Sequence, residues 1–212
     1  MNFFVPARFA LLLPGLFIAH TSVAEPLELD PSVITGSRSA SPSFDLPYSV
    51  DSISQQQISD GQLGINASEV LSRVPGLVVQ NRQNYAQDLQ ISSRGFGARS
   101  AFGVRGIKLI ADGIPASTPD GQGQAATFNL DTAERIEVLR GPAATLYGSN
   151  AGGVIQMFSR DGEGPPRIGA ETLIGSDGMS KNHLTAEGAT DDVGFVLDAS
   201  RMDTDGYRDH SA

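Results

Sequence analysis

The sequence feature that most constrains the fold is one dense segment, RIEVLRGPAATLYGSNAGGVIQMFS, at residues 135–159. The run IEVL at residues 136–139 predicts a strand, and the Gly-Pro pair at residues 141–142 predicts the start of a short helix through residue 147. Gly148 ends that helix. Residues 154–158 predict a second strand, whose residues alternate too little for one face to be exposed. Two buried strands joined by a short helix predict a small mixed α/β domain.

The residues upstream continue this pattern of short elements and tight turns. The run NASE at residues 66–69 places a Glu three residues after a capping Asn, which predicts a helix that runs to Val74 and ends at the Pro-Gly pair at residues 75–76. The Asp-Gly pair at residues 112–113 predicts a tight turn. Further strands are predicted at residues 48–53, 77–79, 89–92 and 107–111.

After the Gly-Pro-Pro run at residues 164–166, apolar and polar residues alternate, which predicts antiparallel strands. These strands are residues 168–174, 182–187 and 194–201, joined by turns at residues 175–178 and 190–192. Three such strands cannot close a barrel, and alone they would leave unpaired edges and an apolar face in water. We therefore expect the chain to be part of a longer protein. The alternative is a complete secreted protein with a terminal β-sheet.

The composition excludes several classes of function. The 212 residues contain no cysteine, which rules out a disulfide framework, cysteine-ligated zinc and thiolate chemistry. The net charge of −9 argues against a nucleic-acid partner. The histidines His20, His183 and His210 lack metal-ligand spacing. The glycine pattern at residues 121–126 lacks the preceding strand that a dinucleotide site needs. We expect no enzyme activity, cofactor or metal site.

The N-terminus is typical of a secretory signal peptide. Arg8 supplies a positive charge, residues 9–19 are apolar, and the Ser-Val-Ala run at residues 22–24 is a small-residue cleavage site. The apolar stretch is about half of what a membrane-spanning helix requires. We expect cleavage after Ala24 and export of the chain.

Three of these segments resemble, in the same order, the motifs of TonB-dependent outer-membrane receptors. The similar runs are VLSRVPGLVVQ at residues 70–80, RGFG with RGIKL and DGIP within residues 91–124, and IEVLRGP with LYG and GGVI within residues 135–159. The resemblance covers about residues 25–212. It implies an α/β (α+β) plug domain with a mixed sheet and short helices, followed by the first antiparallel strands of a transmembrane β-barrel. It also implies import of a scarce nutrient across the outer membrane of Gram-negative bacteria.

The resemblance implies a division into four parts. These are a signal peptide at residues 1–24, a flexible leader with a TonB box at residues 25–43, the plug at residues 44–160 and the start of the barrel at residues 165–212. The box resembles the PSVITG run, with Pro31, Ser32, Val33, Ile34 and Thr35. It would add as a strand to the periplasmic TonB energiser protein. Two alternatives remain open: a box register at residues 27–30, or packing of the apolar pair at residues 33–34 on the plug.

By the same resemblance, three plug loops at residues 81–87, 97–105 and 115–124 hold the ligand. The candidate ligand-binding residues are Arg82, Tyr85, Arg99, Ser100, Phe102, Arg105, Thr118 and Asp120. The planar fork of arginine suits carboxylates, so an anionic ligand is implied. The alternative for each arginine is a solvated cation or an ion pair within the domain.

Two other arginines lie in the family motifs, and the resemblance gives them a role other than ligand binding. Arg94 lies in RGFG and Arg140 in LRGP, and their family counterparts pair with barrel glutamates that hold the plug. The resemblance implies that both are latch residues. Since those glutamates would lie beyond Ala212, we expect both arginines to lack partners in this chain.

The ligand follows from resemblance alone. The run RGFGARSAFGVRGIKL, with DGIP, PDGQGQ and a later DGYRDHS, is similar to the receptor type for pyrroloquinoline quinone, an anionic tricarboxylate. The alternative ligand is a ferric siderophore or ferric citrate. A third alternative is a barrel-less plug fragment that acts as a periplasmic binding module or has no activity.

Overall fold

The computed structural model describes residues 33–34, 39, 41–42, 46–60, 62–82, 84–85, 87–141, 146–148, 150–190 and 192–209. The predicted signal peptide lies outside the described residues. So do Pro31, Ser32 and Thr35 of the predicted TonB box, and its alternative register at residues 27–30.

The described chain consists mainly of strands with two short α-helices. The first strands and the helices are β1 (Val33–Ile34), β2 (Ser41–Pro42), β3 (Ser49–Ser54), α1 (Gln55–Ser59), α2 (Ser68–Leu71), β4 (Leu77–Gln80) and β5 (Gln90–Ser93). The later strands are β6 (Val104–Arg105), β7 (Ile107–Ala111), β8 (Ile114–Pro115), β9 (Gln122–Gly123), β10 (Ala133–Arg140), β11 (Gly153–Ser159), β12 (Arg167–Ile174), β13 (Ser180–Ala189) and β14 (Gly194–Asp203). Single turns of 3-10 helix cover Ala125–Thr127 and Leu130–Thr132.

A five-stranded mixed sheet organises the first part of the described chain. Its order is β3-β10-β11-β7-β8, and only the β7–β11 pair is parallel among these strands. We call β3 to β11, with α1 and α2, the mixed domain. Strands β10 and β11 are central and buried on both faces, as the dense segment at residues 135–159 predicts. The mixed sheet and the short helices confirm the predicted fold class.

The main core lies on one face of the mixed sheet. It is formed by apolar residues of α1, α2, β4 and β5 and of the sheet itself, including Leu71, Ile91, Leu109, Ile136 and Ile155. A second, smaller cluster of Ile110, Leu139 and Val154 covers the other face. Burial on both faces removes the need for a polar stripe, so β10 and β11 are mostly apolar. Glu137 is an exception: it is buried, and its carboxylate accepts a hydrogen bond from Arg135.

Most predicted strands are confirmed with shifts of one or two residues, but the predicted helices are shorter. Helix α2 ends at Leu71 rather than Val74. The backbone bonds that follow, from Arg73 to Val70 and from Val74 to Leu71, span three residues rather than four, and Pro75 has no N–H to donate to Leu71. The second predicted helix is described only at residues 146–147, as one 3-10 turn before Gly148. The predicted turn at residues 112–113 joins β7 and β8.

The carboxylate of Glu69 shapes the loop before α2. It accepts hydrogen bonds from four consecutive backbone N–H groups, those of Leu63, Gly64, Ile65 and Asn66, at 2.8, 2.9, 2.9 and 3.0 Å. The side chain of Asn66 in turn accepts a bond from the N–H of Ser68. This is the reciprocal capping that the NASE run predicts, extended to the whole loop.

The RGFG motif forms a tight turn after β5. A Cβ atom on Gly97 would lie 2.7 Å from the carbonyl oxygens of Ile91 and Arg105, and Gly97 has φ +84. Only glycine fits both the space and the backbone conformation. The motif therefore brings β5 close to β6.

Strands β12 to β14 form a separate antiparallel sheet, which we call the meander. Its side chains alternate. The outward face carries Ile168, Ile174, Leu184 and Leu197, which are exposed, and the face toward the mixed domain carries Lys181, His183, Glu187 and Asp198. The meander therefore presents exposed apolar residues on one side and buried charged residues on the other.

Within the part of the chain that the structure describes, no helix is long and apolar enough to cross a lipid bilayer.

We expect Glu69→Gln to lower the free energy of unfolding by about 2 kcal/mol, since hydrogen bonds to a charged group contribute about 1.5–3 kcal/mol. The amide has one acceptor oxygen left for the four N–H groups of the loop. Urea unfolding of the purified protein measures the change. Glu163→Gln, at an exposed position, is the matched control. Equal midpoints for the two variants would contradict the role of Glu69.

Candidate functional site

The three predicted ligand loops lie at turns of the mixed domain, and we call their described residues the loop cluster. The first two loops are joined by Arg82. Its guanidinium donates a hydrogen bond to the carbonyl of Ala101 and lies 5.9 Å from the centre of the Phe102 ring. The Phe102 ring is 77% exposed. The structure thus places a cation beside an exposed aromatic ring, and the ligand-binding role of both residues stays a prediction.

Ser100 has a different role from the one predicted. It is buried, and its hydroxyl oxygen lies 2.9 and 2.8 Å from the carbonyl oxygens of Phe102 and Gly103, which share its single hydrogen. It holds the second loop in shape and is not open to a ligand in this structure.

The third loop carries its own polar network around Asp120. Arg105 donates from Nη2 to Asp120 at 3.2 Å and to the Gln122 side chain at 3.0 Å. The hydroxyl of Thr118 also donates to Asp120. The Thr118 hydroxyl, the N–H of Gln122 and the Arg105 charge lower the pKa of Asp120 below its ordinary value. Arg105 is therefore neutralised locally, which favours the ion-pair alternative for this arginine.

Tyr85 faces a cleft that no sequence pattern predicts. The cleft has a volume of about 210 Å³ and is lined by Tyr85, Asn84 and Asn81 of the first loop, by Asp177 of the turn between β12 and β13, and by Tyr207 after β14. The only sequence signal for the second aromatic was its place in the DGYRDHS run.

The segment after β14 also contacts the first loop. Arg208 donates from Nη2 to the carbonyl of Arg82 at 3.0 Å. Arg99 is exposed and makes no hydrogen bond or ion pair with another described residue. Three arginines, Arg82, Arg99 and Arg208, therefore belong to the loop cluster or border it.

The two predicted latch arginines meet at the Pro-Gly turn before β4. A Cβ atom on Gly76 would lie 3.5 Å from Nη1 of Arg140 and 3.9 Å from Nε of Arg94. Arg140 donates to the carboxylate of Asp51 and to the carbonyl of Pro75. The expectation that Arg140 lacks a partner in this chain is therefore wrong, because β3 pairs with β10 and brings Asp51 beside it. Arg94 is exposed and forms no ion pair with a described residue.

A second polar cluster, which we call the polar interface, joins the meander to the mixed domain. It consists of Asn129, Asp131, Arg160, Lys181, His183, Glu187 and Asp198. Nζ of Lys181 lies 2.7 Å from Oδ1 of Asp131, Nη1 of Arg160 lies 3.2 Å from Oε2 of Glu187, and His183 pairs with Asp198. No local sequence pattern predicts this cluster, since most of its partners are far apart in the chain.

The polar interface contains possible metal ligands, although the histidine spacing predicts none. Atoms of Asp131, His183 and Asp198 lie within 4.8 Å of one another. The ammonium of Lys181 already neutralises Asp131, so the positive charge that these carboxylates require is present in the chain.

Most of the chain is similar to known proteins. Residues 42–155 match the family described as the TonB-dependent receptor plug domain. The pesticin receptor of Yersinia pestis is 32% identical over 187 residues, which are 86% of this chain and 26% of that protein. The hemin receptor of Yersinia pestis is 30% identical over 189 residues, 84% of this chain and 26% of the receptor.

Among solved structures, the ferric yersiniabactin uptake receptor FyuA from Yersinia pestis superposes with a TM-score of 0.57 at 26% identity, over 74% of this chain and 24% of that one. The chain spans about a quarter of the length of the curated relatives it matches.

We expect Thr118→Val to raise the pKa of Asp120 toward its ordinary value, because the hydroxyl of Thr118 is the largest cause of its lowering. Since that pKa lies below 3.8, the network is complete above about pH 4 and is lost as the pH falls through the lowered value. Carboxyl NMR titration measures the pKa. Thr127→Val, which removes a hydroxyl bonded to Gln124, is the control. An unchanged pKa in Thr118→Val would refute the network.

Proposed function

This chain belongs to the family of TonB-dependent receptor plug domains, and we propose that it provides the plug of an outer-membrane receptor that imports a ferric chelate. Members of this family are receptors of the Gram-negative outer membrane, which confirms the predicted location. The relatives are transport receptors rather than enzymes. The proposal rests mainly on one observation: in the loop cluster, the guanidinium of Arg82 lies over the exposed ring of Phe102.

The loop cluster has the chemistry that an anionic, partly aromatic ligand needs. Ferric iron is a hard cation held by oxygen ligands, and the resulting chelates commonly keep carboxylate or phenolate charge. Arg82 and Arg99 supply cations, and Phe102 supplies an open ring for stacking. Arg105 contributes less, because Asp120 neutralises it.

The relatives favour a ferric chelate over pyrroloquinoline quinone. Two of them are described as receptors for hemin and for ferric yersiniabactin uptake. Both ligand types share negative charge and flat rings with the quinone, so the side chains alone do not separate them. The quinone is therefore the second candidate, based on the RGFGARSAFGVRGIKL run.

Import in this proposal is driven through the leader. Val33–Ile34 is an extended strand that pairs with Ser41–Pro42, and extended backbone is what strand addition to the TonB energiser protein requires. Ligand binding at the loop cluster would release the leader, and the energiser would then remodel the plug. The four-part division at residues 1–24, 25–43, 44–160 and 165–212 and the TonB box stay predictions.

Arg94 and Arg140 are proposed as the latch between plug and barrel. Their side chains converge at Gly76, and among the described residues only Asp51 forms an ion pair with either of them. One carboxylate for two guanidinium groups leaves a net positive charge, which suits acidic partners on a barrel wall.

The ligand prediction is tested by calorimetry on the intact protein with a ferric siderophore, hemin and pyrroloquinoline quinone in parallel. We expect a ferric chelate to bind. Arg82→Met and Arg99→Met should each weaken that binding about tenfold, since loss of a contact worth 1.4 kcal/mol changes the affinity by that factor. Heat from the quinone alone would replace the main proposal by the second candidate.

Arg73→Met is the matched control for these variants. Arg73 donates to the carbonyl of Gln57 and belongs to none of the three ligand loops. Equal loss of affinity in the control and in Arg82→Met would contradict a specific ligand role. Absence of binding to all three ligands would favour the alternative of a plug fragment without transport activity.

The latch prediction is that Arg94→Ala and Arg140→Ala loosen the plug, which hydrogen exchange of the intact protein measures. Asp51→Asn removes only the partner of Arg140 within this chain. If Asp51→Asn loosens the plug as much as Arg140→Ala does, Arg140 acts within the plug and not as a latch. Unchanged exchange in both arginine variants would reject the latch.

A further inference from the structure

The cleft beside Tyr85 is a site that the proposed function does not use. It lies between the first loop of the mixed domain, the turn between β12 and β13, and the segment after β14, and its volume is about 210 Å³. We call it the tyrosine cleft. This volume equals that of about seven water molecules in the liquid and is smaller than the roughly 300–1,000 Å³ of pockets for drug-sized ligands. The cleft therefore has room for one ring rather than for a whole chelate.

Two tyrosines provide the aromatic surface of the tyrosine cleft. Tyr85 and Tyr207 both line it, and they are 47% and 57% exposed. Neither hydroxyl makes a hydrogen bond with another described residue. A tyrosine ring buries apolar area against a ring-shaped partner, while its hydroxyl both donates and accepts hydrogen bonds. Both side chains are therefore available to a bound ring.

Tyr207 is held in place by the residues on either side of it. The guanidinium of Arg208 lies 5.8 Å from the centre of the Tyr207 ring and donates from Nη2 to the carbonyl of Arg82 at 3.0 Å. On the other side, the N–H of Gly206 donates to the hydroxyl of Thr204 at 3.1 Å. These contacts restrict the ring before a ligand arrives, which reduces the conformational entropy that binding would cost.

A second wall of the tyrosine cleft is tied to the same segment. The carbonyl of Asp177, in the turn between β12 and β13, accepts from the N–H of Asp205 at 2.9 Å and from the hydroxyl of Thr204 at 3.3 Å. A Cβ atom on Gly178 would clash with the carboxylate of Asp205, and Gly178 has φ +65, so only glycine lets the turn approach this closely. The cleft is therefore preformed rather than assembled by a ligand.

The polar lining of the tyrosine cleft favours an uncharged ligand. Among the described residues that line it, Asp177 is the only charged one and none is basic. A ligand carboxylate would meet Asp177 with no cation in the lining to offset the repulsion. Asparagine, serine and threonine side chains, with the tyrosines, combine hydrogen bonding in both directions with aromatic contact. The lining residues of this kind are Asn66, Asn81, Asn84, Ser176 and Thr204.

We propose that the tyrosine cleft binds one uncharged, hydroxyl-bearing six-membered ring, such as a single sugar residue. The ring contacts Tyr85 and Tyr207, and its hydroxyls pair with the amides and hydroxyls of the lining, since all of these groups both donate and accept. This chemistry differs from that of Arg82 and Phe102, which suit an anion. The ring belongs either to a free saccharide or to the imported ligand, and the experiments below distinguish these two sources. The cleft itself does not rest on the proposed function.

The site is tested by NMR of the intact protein, labelled at tyrosine and titrated with methyl glucoside. The chain has four tyrosines, so single variants assign the ring signals. We expect the signals of Tyr85 and Tyr207 to shift together, with a Kd on the order of 1 mM for so small a ligand. Citrate should leave both signals unchanged, because the lining carries no cation.

Variants separate aromatic contact from hydrogen bonding. Tyr85→Ala and Tyr207→Ala should each weaken methyl glucoside binding about tenfold, whereas Tyr85→Phe and Tyr207→Phe, which keep the ring, should weaken it about threefold. Phe96→Ala, at an exposed aromatic residue outside the cleft, is the matched control. The absence of a shift at Tyr85 and Tyr207, an equal loss of binding in the control, or a citrate response as large as that of the glucoside would overturn the proposal.

Competition with a ferric siderophore identifies the source of the ring. Displacement of methyl glucoside by the chelate would show that the ring is part of the imported ligand, and simultaneous binding would show a separate saccharide site. Both outcomes support the tyrosine cleft. Failure of the wild type to bind any ferric chelate, with the glucoside response intact, would reject the proposed function and not the cleft.

Discussion

The structure depends on the alternation of the meander. Most apolar side chains of the meander lie on its outward face, while its buried charged residues lie on the face toward the mixed domain. Those charges must find partners there or remain unpaired in a confined space. Lys181, Glu187 and Asp198 find them in Asp131, Arg160 and Asn129. The position of the mixed domain beside the meander follows from this requirement for charge pairing rather than from apolar contact.

The requirement for charge pairing also explains why the arginines of the ligand loops are more exposed than the cations of the polar interface. In the polar interface, cations are matched with carboxylates and buried. In the loop cluster, Arg82 contacts a carbonyl and an aromatic ring, and Arg99 is exposed. Arg105 differs from Arg82 and Arg99 because a carboxylate is near: it forms an ion pair with Asp120 inside the third loop. An arginine is available to a ligand only where no carboxylate of the same chain lies close enough to pair with it.

Local sequence patterns predicted where the strands and helices lie better than they predicted which residues contact one another. The strands at residues 107–111 and 136–139 follow from apolar runs, and the helix start at residues 66–69 follows from its cap. Arg140 was expected to lack a partner because Asp51 is 89 residues away in the chain, and only the β3–β10 pairing brings the two together. The contact of Lys181 with Leu63 spans 118 residues and follows from no local pattern.

The order of strands in the mixed sheet has a kinetic consequence. Strand β3 pairs with β10 across more than half of the domain's sequence, and β7 reaches β11 through a parallel connection. Sheets built from such distant pairs form slowly, because the chain loses its freedom over long loops before the contacts stabilise it. Strand β3, the first strand of the mixed sheet to emerge during export, therefore has no partner until the family's most recognisable motif has followed it. During that interval the unpaired strand depends on periplasmic chaperones to keep its exposed backbone from aggregating.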